Sequence, residues 1–316
     1  MNIAILDAAT LGGDIDFSLF NTFGGVAVYE RTAPDQVAQR IDGCDIVIVN
    51  KIKLGEHNLA DAKRLKLICV TATGYDNIDV EYCKNSSIAV CNVKGYSTES
   101  VTQLTLSMAL SLATHIKQFD DYVKSGEYTK SGVQNHLTPV FGEIAGKTWG
   151  IAGLGAIGRR VAAAAETLGC RVLAYKRVMC DDYECVPLSE LCERSDIISI
   201  HLPLSESTRG IIGKEMIAKM KPGAIVINVS RGAVADEAAL ANAIKEGRIG
   251  GLCVDVYSVE PMAADSPYNE ILDDPNVILT PHMAWGAYES RVRCMEEIAL
   301  NIDAFINNRI RNRVEI

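Results

Sequence analysis

The segment WGIAGLGAIG, residues 149–158, decides the fold of this 316-residue chain. A short apolar strand leads into a G-x-G-x-x-G turn at Gly153, Gly155 and Gly158, and residues 159–168 are predicted to form a helix. The first glycine permits a tight turn, the second lets the backbone approach a pyrophosphate, and the third lets the helix pack close to the strand. The N–H groups at the helix start favour an anion; they belong to Ala156 and Ile157. The segment therefore predicts a dinucleotide-binding site.

The next predicted strand, residues 171–175, ends where an acidic residue would bind the ribose 2′-hydroxyl of NAD. Lys176 and Arg177 occupy that place instead. Cations cannot accept hydrogen bonds from a diol, but they can pair with a 2′-phosphate. Alternatively, they are two solvated charges at a strand end, and Asp181 and Asp182 could neutralise them. The chemistry favours NADP(H) over NAD(H) as the cofactor.

Composition and charge narrow the class of protein. The chain is long enough for two domains of ordinary size. It carries 31 basic and 40 acidic residues, a formal net charge of −9, without a basic block, which argues against nucleic acid as a partner. No apolar run approaches the ~18 residues that a membrane span needs. The N-terminal MNIAILD reads as a first strand rather than a signal peptide, so we expect a cytoplasmic protein.

The ten cysteines give no sign of a metal site. Cys180, Cys185 and Cys192 are close together in sequence, but they form no C-x-x-C motif and no histidine lies among them. Most of the others lie in apolar strand or helix contexts. We therefore expect free, buried thiols and no bound metal.

Short aliphatic runs recur along the chain, separated by segments long enough for helices. Runs that are apolar throughout are typical of strands buried on both faces. The ten predicted strands are residues 3–6, 46–49, 67–70, 88–90, 148–152, 172–175, 197–200, 224–228, 252–256 and 277–280. The alternation of strands and helices predicts βαβ units and parallel sheets. With one glycine motif at mid-chain, this indicates an α/β protein with two doubly wound domains.

Two further helices are predicted near the domain boundaries. Ser100 and Gln103 form a plausible capping box, and apolar residues then mark one face of a long helix. Near the end of the chain, apolar residues spaced by four and three predict a strong amphipathic helix between Tyr288 and Ile306. That last helix must bury its apolar face, and the first domain is a candidate.

Three ionisable residues follow later strands. Arg231 closes the run INVSRG, Glu260 lies in DVYSVEP, and His282 ends LTPH. In an open α/β sheet, ligands bind beyond the carboxyl ends of the strands, so all three can converge on one crevice. Each alone could be an ordinary loop residue. Their joint occurrence after a glycine motif favours a reactive site.

The sequence resembles the D-isomer-specific 2-hydroxyacid dehydrogenase family over nearly its whole length. The motifs that carry the resemblance are GYDNID at 74–79, HLPL at 201–204 with Thr208, NVSRG at 228–232, Asp255 with Glu260-Pro261, and Pro281-His282. The resemblance implies a flavodoxin-like substrate domain (1–98 and 287–316), a Rossmann domain (99–286), and a cleft between them. It also implies reversible hydride transfer between a nicotinamide and C2 of a 2-oxo acid, without a metal, and a homodimer joined through the cofactor domain.

The resemblance also implies roles for single residues. His282 would protonate the new alkoxide, and Glu260 would hold the imidazole and favour its charged form. Arg231 would bind the substrate carboxylate and polarise its carbonyl. A second carboxylate clamp is implied at the backbone of Ala72, Thr73 and Gly74. The other implied cofactor contacts are His201, Leu202, Pro203, Thr208, Val229, Ser230, His282 and Asp255, the last helping to orient the nicotinamide end.

The segment HMAWG at 282–286 looks like the glycerate dehydrogenase or hydroxypyruvate reductase branch of that family. Trp285 could wall off the substrate pocket and favour a small polar side chain, or it could pack at the domain junction. Neither this nor the hydroxylated run Val70–Thr73 excludes glyoxylate, pyruvate or a bulkier 2-oxo acid. Two alternatives stay open: a dehydrogenase of the same fold for another or formate-like substrate, and a non-catalytic dinucleotide-sensing scaffold.

Overall fold

The computed structural model describes residues 1–177 and 181–316, which form two compact units. The first unit comprises Met1–Ser97 and Gly286–Ile316, and the second comprises Thr98–Trp285. Cys180, one of the cysteines weighed as a possible metal ligand, lies outside the described residues. Within the described ranges, no helix is both long and apolar enough to cross a membrane.

The first unit is built on a five-stranded parallel sheet with the order β2-β1-β3-β4-β5. Its strands are β1 (Asn2–Ile5), β2 (Gly25–Val28), β3 (Ile46–Val49), β4 (Leu67–Val70) and β5 (Ala89–Cys91). Its N-terminal helices are α1 (Val37–Ile41), α2 (Glu56–Leu59) and α3 (Val80–Asn85). All residues of β3 and β4 are buried, as expected of apolar strands that are covered on both faces.

The second unit contains a seven-stranded parallel sheet with the order β12-β11-β10-β9-β6-β7-β8. Its strands are β6 (Thr148–Ala152), β7 (Arg171–Tyr175), β8 (Glu184–Cys185), β9 (Ile197–Ile200), β10 (Ile225–Asn228), β11 (Gly251–Val254) and β12 (Val277–Leu279). Its helices are α4 (Thr98–Thr114), α5 (Ile116–Lys124), α6 (Glu127–Ser131), α7 (Ala156–Thr167), α8 (Leu188–Arg194), α9 (Lys214–Lys219) and α10 (Glu237–Lys245). Chain order reverses between β6 and β9, so the carboxyl ends of these two strands flank the switch point where such sheets bind ligands.

The last helix, α11 (Tyr288–Ile306), belongs to the first unit and packs against β4. Residues 309–316, the C-terminal tail, then run beside β5. An antiparallel bridge joins Arg313 to Cys91, and the N–H of Val314 donates to the carbonyl of Val90 at 3.0 Å. The Glu315 carboxylate accepts the N–H of Val90 at 3.0 Å. The tail therefore covers the β5 edge of the first sheet.

The predicted α/β fold class with two parallel sheets is confirmed. The prediction missed β2, whose residues are mostly exposed, and β8, a two-residue edge strand. The predicted capping box is wrong, because α4 begins before it, at Thr98. Ser100 lies inside that helix, and its hydroxyl donates to the carbonyl of Ala284 at 2.6 Å.

Candidate active site

The glycine turn joins β6 to α7 at the switch point of the second sheet. Gly153 has φ +109°, in the region that favours glycine, and a Cβ atom there would lie 2.7 Å from the carbonyl carbon of His201. A Cβ atom on Gly158 would lie 2.1 Å from the carbonyl oxygen of Gly153. The turn, the first residues of α7 and the end of β9 therefore pack too closely to admit side chains at these two positions.

The start of α7 has two features that a dinucleotide site needs. A Cβ atom on Gly155 would meet nothing within 4 Å, so another molecule can approach the backbone there. Gly155 is also the N-cap of the 12-residue helix α7, with no side-chain cap and no acidic residue in the first turn. The N–H groups of Ala156 and Ile157 at this helix start suit an anion such as a pyrophosphate.

The loop after β9 carries four of the predicted cofactor contacts in a fixed conformation. The Thr208 hydroxyl donates to the carbonyl of Pro203 at 2.6 Å and accepts the N–H of Ser205 at 2.8 Å. Leu202 is buried beside this closed loop. The backbone of His201 abuts Gly153, so the loop forms one wall of the glycine turn.

The imidazole of His201 is held below this turn. Its Nε2 lies 2.9 Å from the Ser199 hydroxyl, which accepts the indole N–H of Trp149 at 2.9 Å. Burial lowers the pKa of His201 to about 3. The imidazole is therefore neutral at physiological pH, and the hydrogen-bonded chain ties β6 to β9 beneath the glycine turn.

Lys176 and Arg177 directly follow β7, and Arg177 is exposed. Neither forms an ion pair with a residue that the structure describes. Asp182, one of the two carboxylates that could have neutralised them, pairs with Arg159 on α7. Two cations therefore stand at the strand end where the adenosine ribose of a dinucleotide is expected.

Arg231, Glu260 and His282 follow three adjacent parallel strands, β10, β11 and β12. They lie at the carboxyl edge of the sheet that carries the glycine turn. The Nδ1 atom of His282 lies 2.7 Å from Oε2 of Glu260, and Oε1 of Glu260 accepts the N–H of Tyr257 at 3.2 Å. The structure thus brings the predicted acid and its carboxylate neighbour into direct contact.

The Arg231 loop touches the Glu260 loop. Asn228 holds the backbone around Arg231, donating from Nδ2 to its carbonyl at 3.1 Å and accepting the N–H of Ser230 at 3.1 Å. The next residue, Gly232, lies so close to Tyr257 that a Cβ atom would be 2.1 Å from its carbonyl carbon. Val229, in the same loop, is buried. This contact fixes the spacing between the guanidinium and carboxylate loops.

Asp255 braces the loop that carries His282. Its two oxygens accept the Thr280 hydroxyl at 2.6 Å and the N–H groups of Met283 and Ala284, each at 2.8 Å. Burial raises the pKa of the Asp255 carboxyl, and these hydrogen bonds oppose the rise. His282 has φ +53°, which is uncommon for a residue other than glycine. The bonds to Asp255 stabilise this conformation.

The predicted substrate contacts lie in both units. Trp285 is partly buried and packs against an apolar cluster of the second unit. Residues 72–74 follow β4 in the first unit, where the Thr73 hydroxyl donates to the carbonyl of Val93 at 2.8 Å and the Val93 N–H donates to the carbonyl of Ala72 at 3.0 Å. Within the described chain, the N–H groups of Thr73 and Gly74 donate to no other residue. These two amides suit a carboxylate.

Sequence reasoning missed the residues that support the loops of the site through hydrogen bonds. Thr280, Tyr257 and Asn228 form hydrogen bonds that hold the loops just described. No spacing rule marks them, although all three lie within the quoted runs INVSRG, DVYSVEP and LTPH. In the part of the chain that the structure covers, no three metal-ligating side chains come together.

Comparison with known proteins gives a consistent match. A family model described as "D-isomer specific 2-hydroxyacid dehydrogenase, NAD binding domain" matches residues 106–284. A hydroxypyruvate reductase of Blautia hydrogenotrophica is 35% identical over 315 residues, covering 97% of each chain. A glycerate dehydrogenase of Methylorubrum extorquens is 36% identical over 288 residues, covering 91% of each. A solved acyclic imino acid reductase in complex with NADPH and D-Arg has a TM-score of 0.88 at 29% identity, covering 99% of this chain and 100% of that one.

Proposed function

This chain belongs to the D-isomer-specific 2-hydroxyacid dehydrogenase family, and we propose that it reduces a small 2-oxo acid at C2 with NADPH. The observation that carries the proposal is the 2.7 Å contact between His282 Nδ1 and Glu260 Oε2. This pair lies at the carboxyl edge of the sheet that also carries the glycine turn. An acid–base pair beside a dinucleotide site is what reversible reduction of a carbonyl requires.

Each of the three ionisable residues has a distinct task. When bound, the nicotinamide supplies the hydride that reduces C2. Reduction leaves an oxyanion, and His282 donates a proton to it from Nε2 while Glu260 holds Nδ1 and stabilises the imidazolium. Arg231 binds the substrate carboxylate and polarises the carbonyl, because its planar guanidinium offers two parallel donors. In the oxidative direction, His282 accepts the proton.

The proposed substrates are hydroxypyruvate and glyoxylate. The two relatives described above are named hydroxypyruvate reductase and glycerate dehydrogenase, and a hydroxymethyl group is small and polar. Trp285, three residues after His282 and partly buried, is the proposed bulky wall of the substrate pocket. Within the first unit, the amides of Thr73 and Gly74 are the proposed donors to a carboxylate.

A panel of 2-oxo acids tests this function. Hydroxypyruvate, glyoxylate, pyruvate and a branched 2-oxo acid are each tried with NADH and with NADPH, and oxidation is followed at the nicotinamide absorbance. We expect the highest kcat/KM for hydroxypyruvate or glyoxylate. Formate with NAD(P)+ is included as a contrasting substrate. Turnover of formate without turnover of any 2-oxo acid would contradict the proposal, and binding without any turnover would favour a sensing role.

The proposed cofactor is NADP(H), because Lys176 and Arg177 stand at the end of β7 without an ion-pair partner among the described residues. A 2′-phosphate would give both cations an anionic partner. The pairing of Asp182 with Arg159 supports this assignment, since that carboxylate is already used. The solved imino acid reductase similar to this chain holds NADPH.

The double variant Lys176→Asp/Arg177→Ser is expected to reverse the cofactor preference. Loss of two charge-assisted contacts should raise KM for NADPH by about 10- to 100-fold, and the new carboxylate should improve binding of NADH. The measurement is kcat/KM for both cofactors with one substrate. Lys147→Asp, on the same unit but before β6, is the control for a lysine-to-aspartate change away from the end of β7. An unchanged NADPH preference in the double variant would refute the phosphate-pairing argument.

The proposed assembly is a homodimer joined through the second unit. Ring contacts join α5 to the segment that follows it, up to residue 141. In one of them the rings of His136 and Tyr122 are stacked, with 3.9 Å between their centroids. The outer aliphatic side chains of this segment are nevertheless exposed, with Val133 at 61%, Leu137 at 68% and Val140 at 85%. Three exposed aliphatic side chains within residues 133–140 favour an interface at this segment. Sedimentation as a monomer at micromolar concentration would contradict this assembly.

The proposed compartment is the cytoplasm. All nine cysteines within the described ranges are free, and eight of these are buried. Persistent free thiols are typical of a reducing compartment. Recovery of the protein in a secreted fraction would contradict this placement.

A further inference from the structure

Three asparagines in the first unit connect the C-terminal tail to the loop after β4. Nδ2 of Asn312, in the tail, donates to Oδ1 of Asn301 on α11 at 2.9 Å. Nδ2 of Asn301 donates to the carbonyl of Asn92 at 3.0 Å. Nδ2 of Asn92 donates to the carbonyl of Thr73 at 2.7 Å. We call this continuous chain of amides, Asn312, Asn301 and Asn92, the asparagine relay.

The relay is buried at its centre and closed by a backbone contact. Asn301 is 1% exposed and Asn92 is 2% exposed. The N–H of Asn92 donates to the carbonyl of Asn312 at 3.2 Å, so tail and β5 are also joined directly. Both polar atoms of the Asn301 amide are used. An apolar side chain in place of Asn301 would leave the buried carbonyl of Asn92 and Nδ2 of Asn312 without these partners. Unpaired buried polar groups lower the free energy of unfolding.

Stability alone does not account for Asn92. Among the atoms of the described residues, its buried Oδ1 has no hydrogen-bond partner. A buried polar atom without a partner lowers stability. What the side chain contributes is therefore its Nδ2 donor, and that donor is used on the carbonyl of Thr73. The relay acts on the backbone whose N–H groups carry the second carboxylate site.

We propose that the asparagine relay positions the loop 72–74 for the substrate carboxylate, so that the C-terminal tail helps to set the affinity for the 2-oxo acid. Asn92, Asn301 and Asn312 are positioning residues, because they act through Thr73 and do not touch the substrate. The inference rests on the proposed function in one respect, the binding of the carboxylate by the amides of this loop. It assigns the tail a task that no motif in the sequence indicates.

Two variants test the relay without removing a residue of the reaction itself. Asn312→Gly removes the Nδ2 donor to Asn301. Glycine readily adopts the φ of +50° found at this position, so the backbone is not strained. Asn308→Gly is the matched control, because Asn308 also has a positive φ, +55°, and lies outside the relay. Asn301→Ala interrupts the relay at its buried centre. Folding of each variant is checked by its unfolding midpoint.

The readouts are KM for the best 2-oxo acid, kcat, the Kd for NADPH, and hydrogen exchange of the peptide that spans residues 68–76. We expect Asn312→Gly and Asn301→Ala to raise KM by about three- to tenfold. This is the effect expected from the loss of one or two net hydrogen bonds. Exchange of the loop amides should become faster in both. Kcat and the Kd for NADPH should stay the same, since the dinucleotide is assigned to the second unit. Asn308→Gly should match the parent chain in every readout.

Unchanged KM and unchanged exchange in the folded relay variants would overturn the inference. Faster exchange with an unchanged KM would also overturn it, because the loop would then be loosened without any effect on the substrate. A parallel loss of NADPH affinity would indicate general loosening and contradict a positioning role. Failure of the proposed function is distinguishable from all of these, since the parent chain would then turn over no 2-oxo acid at all.

Discussion

His282→Asn is expected to lower kcat by about 10²- to 10⁴-fold while the Kd for NADPH stays within about twofold of the parent value. The substitution removes the proposed proton donor for the alkoxide. Asparagine is chosen over alanine because His282 has φ +53°, a conformation that asparagine adopts more readily than other residues with a side chain. Loss of activity then reports on the imidazole and not on the loop backbone.

Two further variants sharpen this test. Glu260→Gln keeps an acceptor for Nδ1 of His282 but loses the charge, so a smaller loss of about tenfold is expected. His57→Ala, an exposed position on α2 of the first unit, is the control and should be as active as the parent. Steady-state kinetics and nicotinamide fluorescence give kcat and Kd. A His282→Asn variant that turns over as fast as the parent would remove the residue from the mechanism.

Gly158→Ala is expected to cost about 3 kcal/mol or more of unfolding free energy, because its Cβ atom would lie 2.1 Å from the Gly153 carbonyl oxygen. Relief requires α7 to move away from the turn, which also displaces the helix start from the pyrophosphate. Dinucleotide binding should therefore be lost together with stability. Urea unfolding of the protein without cofactor measures the first effect, and fluorescence titration with NADPH measures the second.

Gly155→Ala separates the two effects. Its Cβ atom meets no atom within 4 Å, and its φ of −85° is open to any residue. Unfolding free energy should change by no more than about 1 kcal/mol, the cost of alanine at an N-cap. Affinity for NADPH should nevertheless fall at least about tenfold, because the new methyl group fills the space assigned to the phosphates. Normal NADPH affinity in this variant would show that the ligand does not approach the turn there.

Most of the strands were predictable because their residues are buried on both faces, although β12, which leads to His282, is apolar but only partly buried. Strands such as β3, β4 and β9 are fully buried and read as uninterrupted apolar runs. The edge strand β2 is mostly exposed, so its sequence lacks that signal. The capping-box error at Ser100 has a similar origin, since the pattern of residue types fitted a helix start but the hydroxyl was needed for a tertiary contact to Ala284.

The candidate reactive residues were indicated by sequence motifs, whereas the residues that support them were not. Glu260 and His282 stand in recognisable runs, and the structure places them 2.7 Å apart. Asp255 was singled out for the nicotinamide end, and the structure shows that its oxygens accept hydrogen bonds from the His282 loop. Two of those donors are backbone amides, which every residue except proline has. Asn92 and Asn301 are 209 positions apart, so no local pattern connects them.

The first unit is discontinuous in the chain, and this has a consequence for how the protein is made. During synthesis the N-terminal five-stranded sheet emerges early, but α11 and the tail that covers its β5 edge come after the whole second unit. Until then the β5 edge and the apolar sheet face that α11 covers stay exposed. Exposed strand edges and apolar faces of a nascent chain are where aggregation begins and where chaperones act. The second unit is therefore the first of the two units whose residues have all been translated, and the first that can complete its fold.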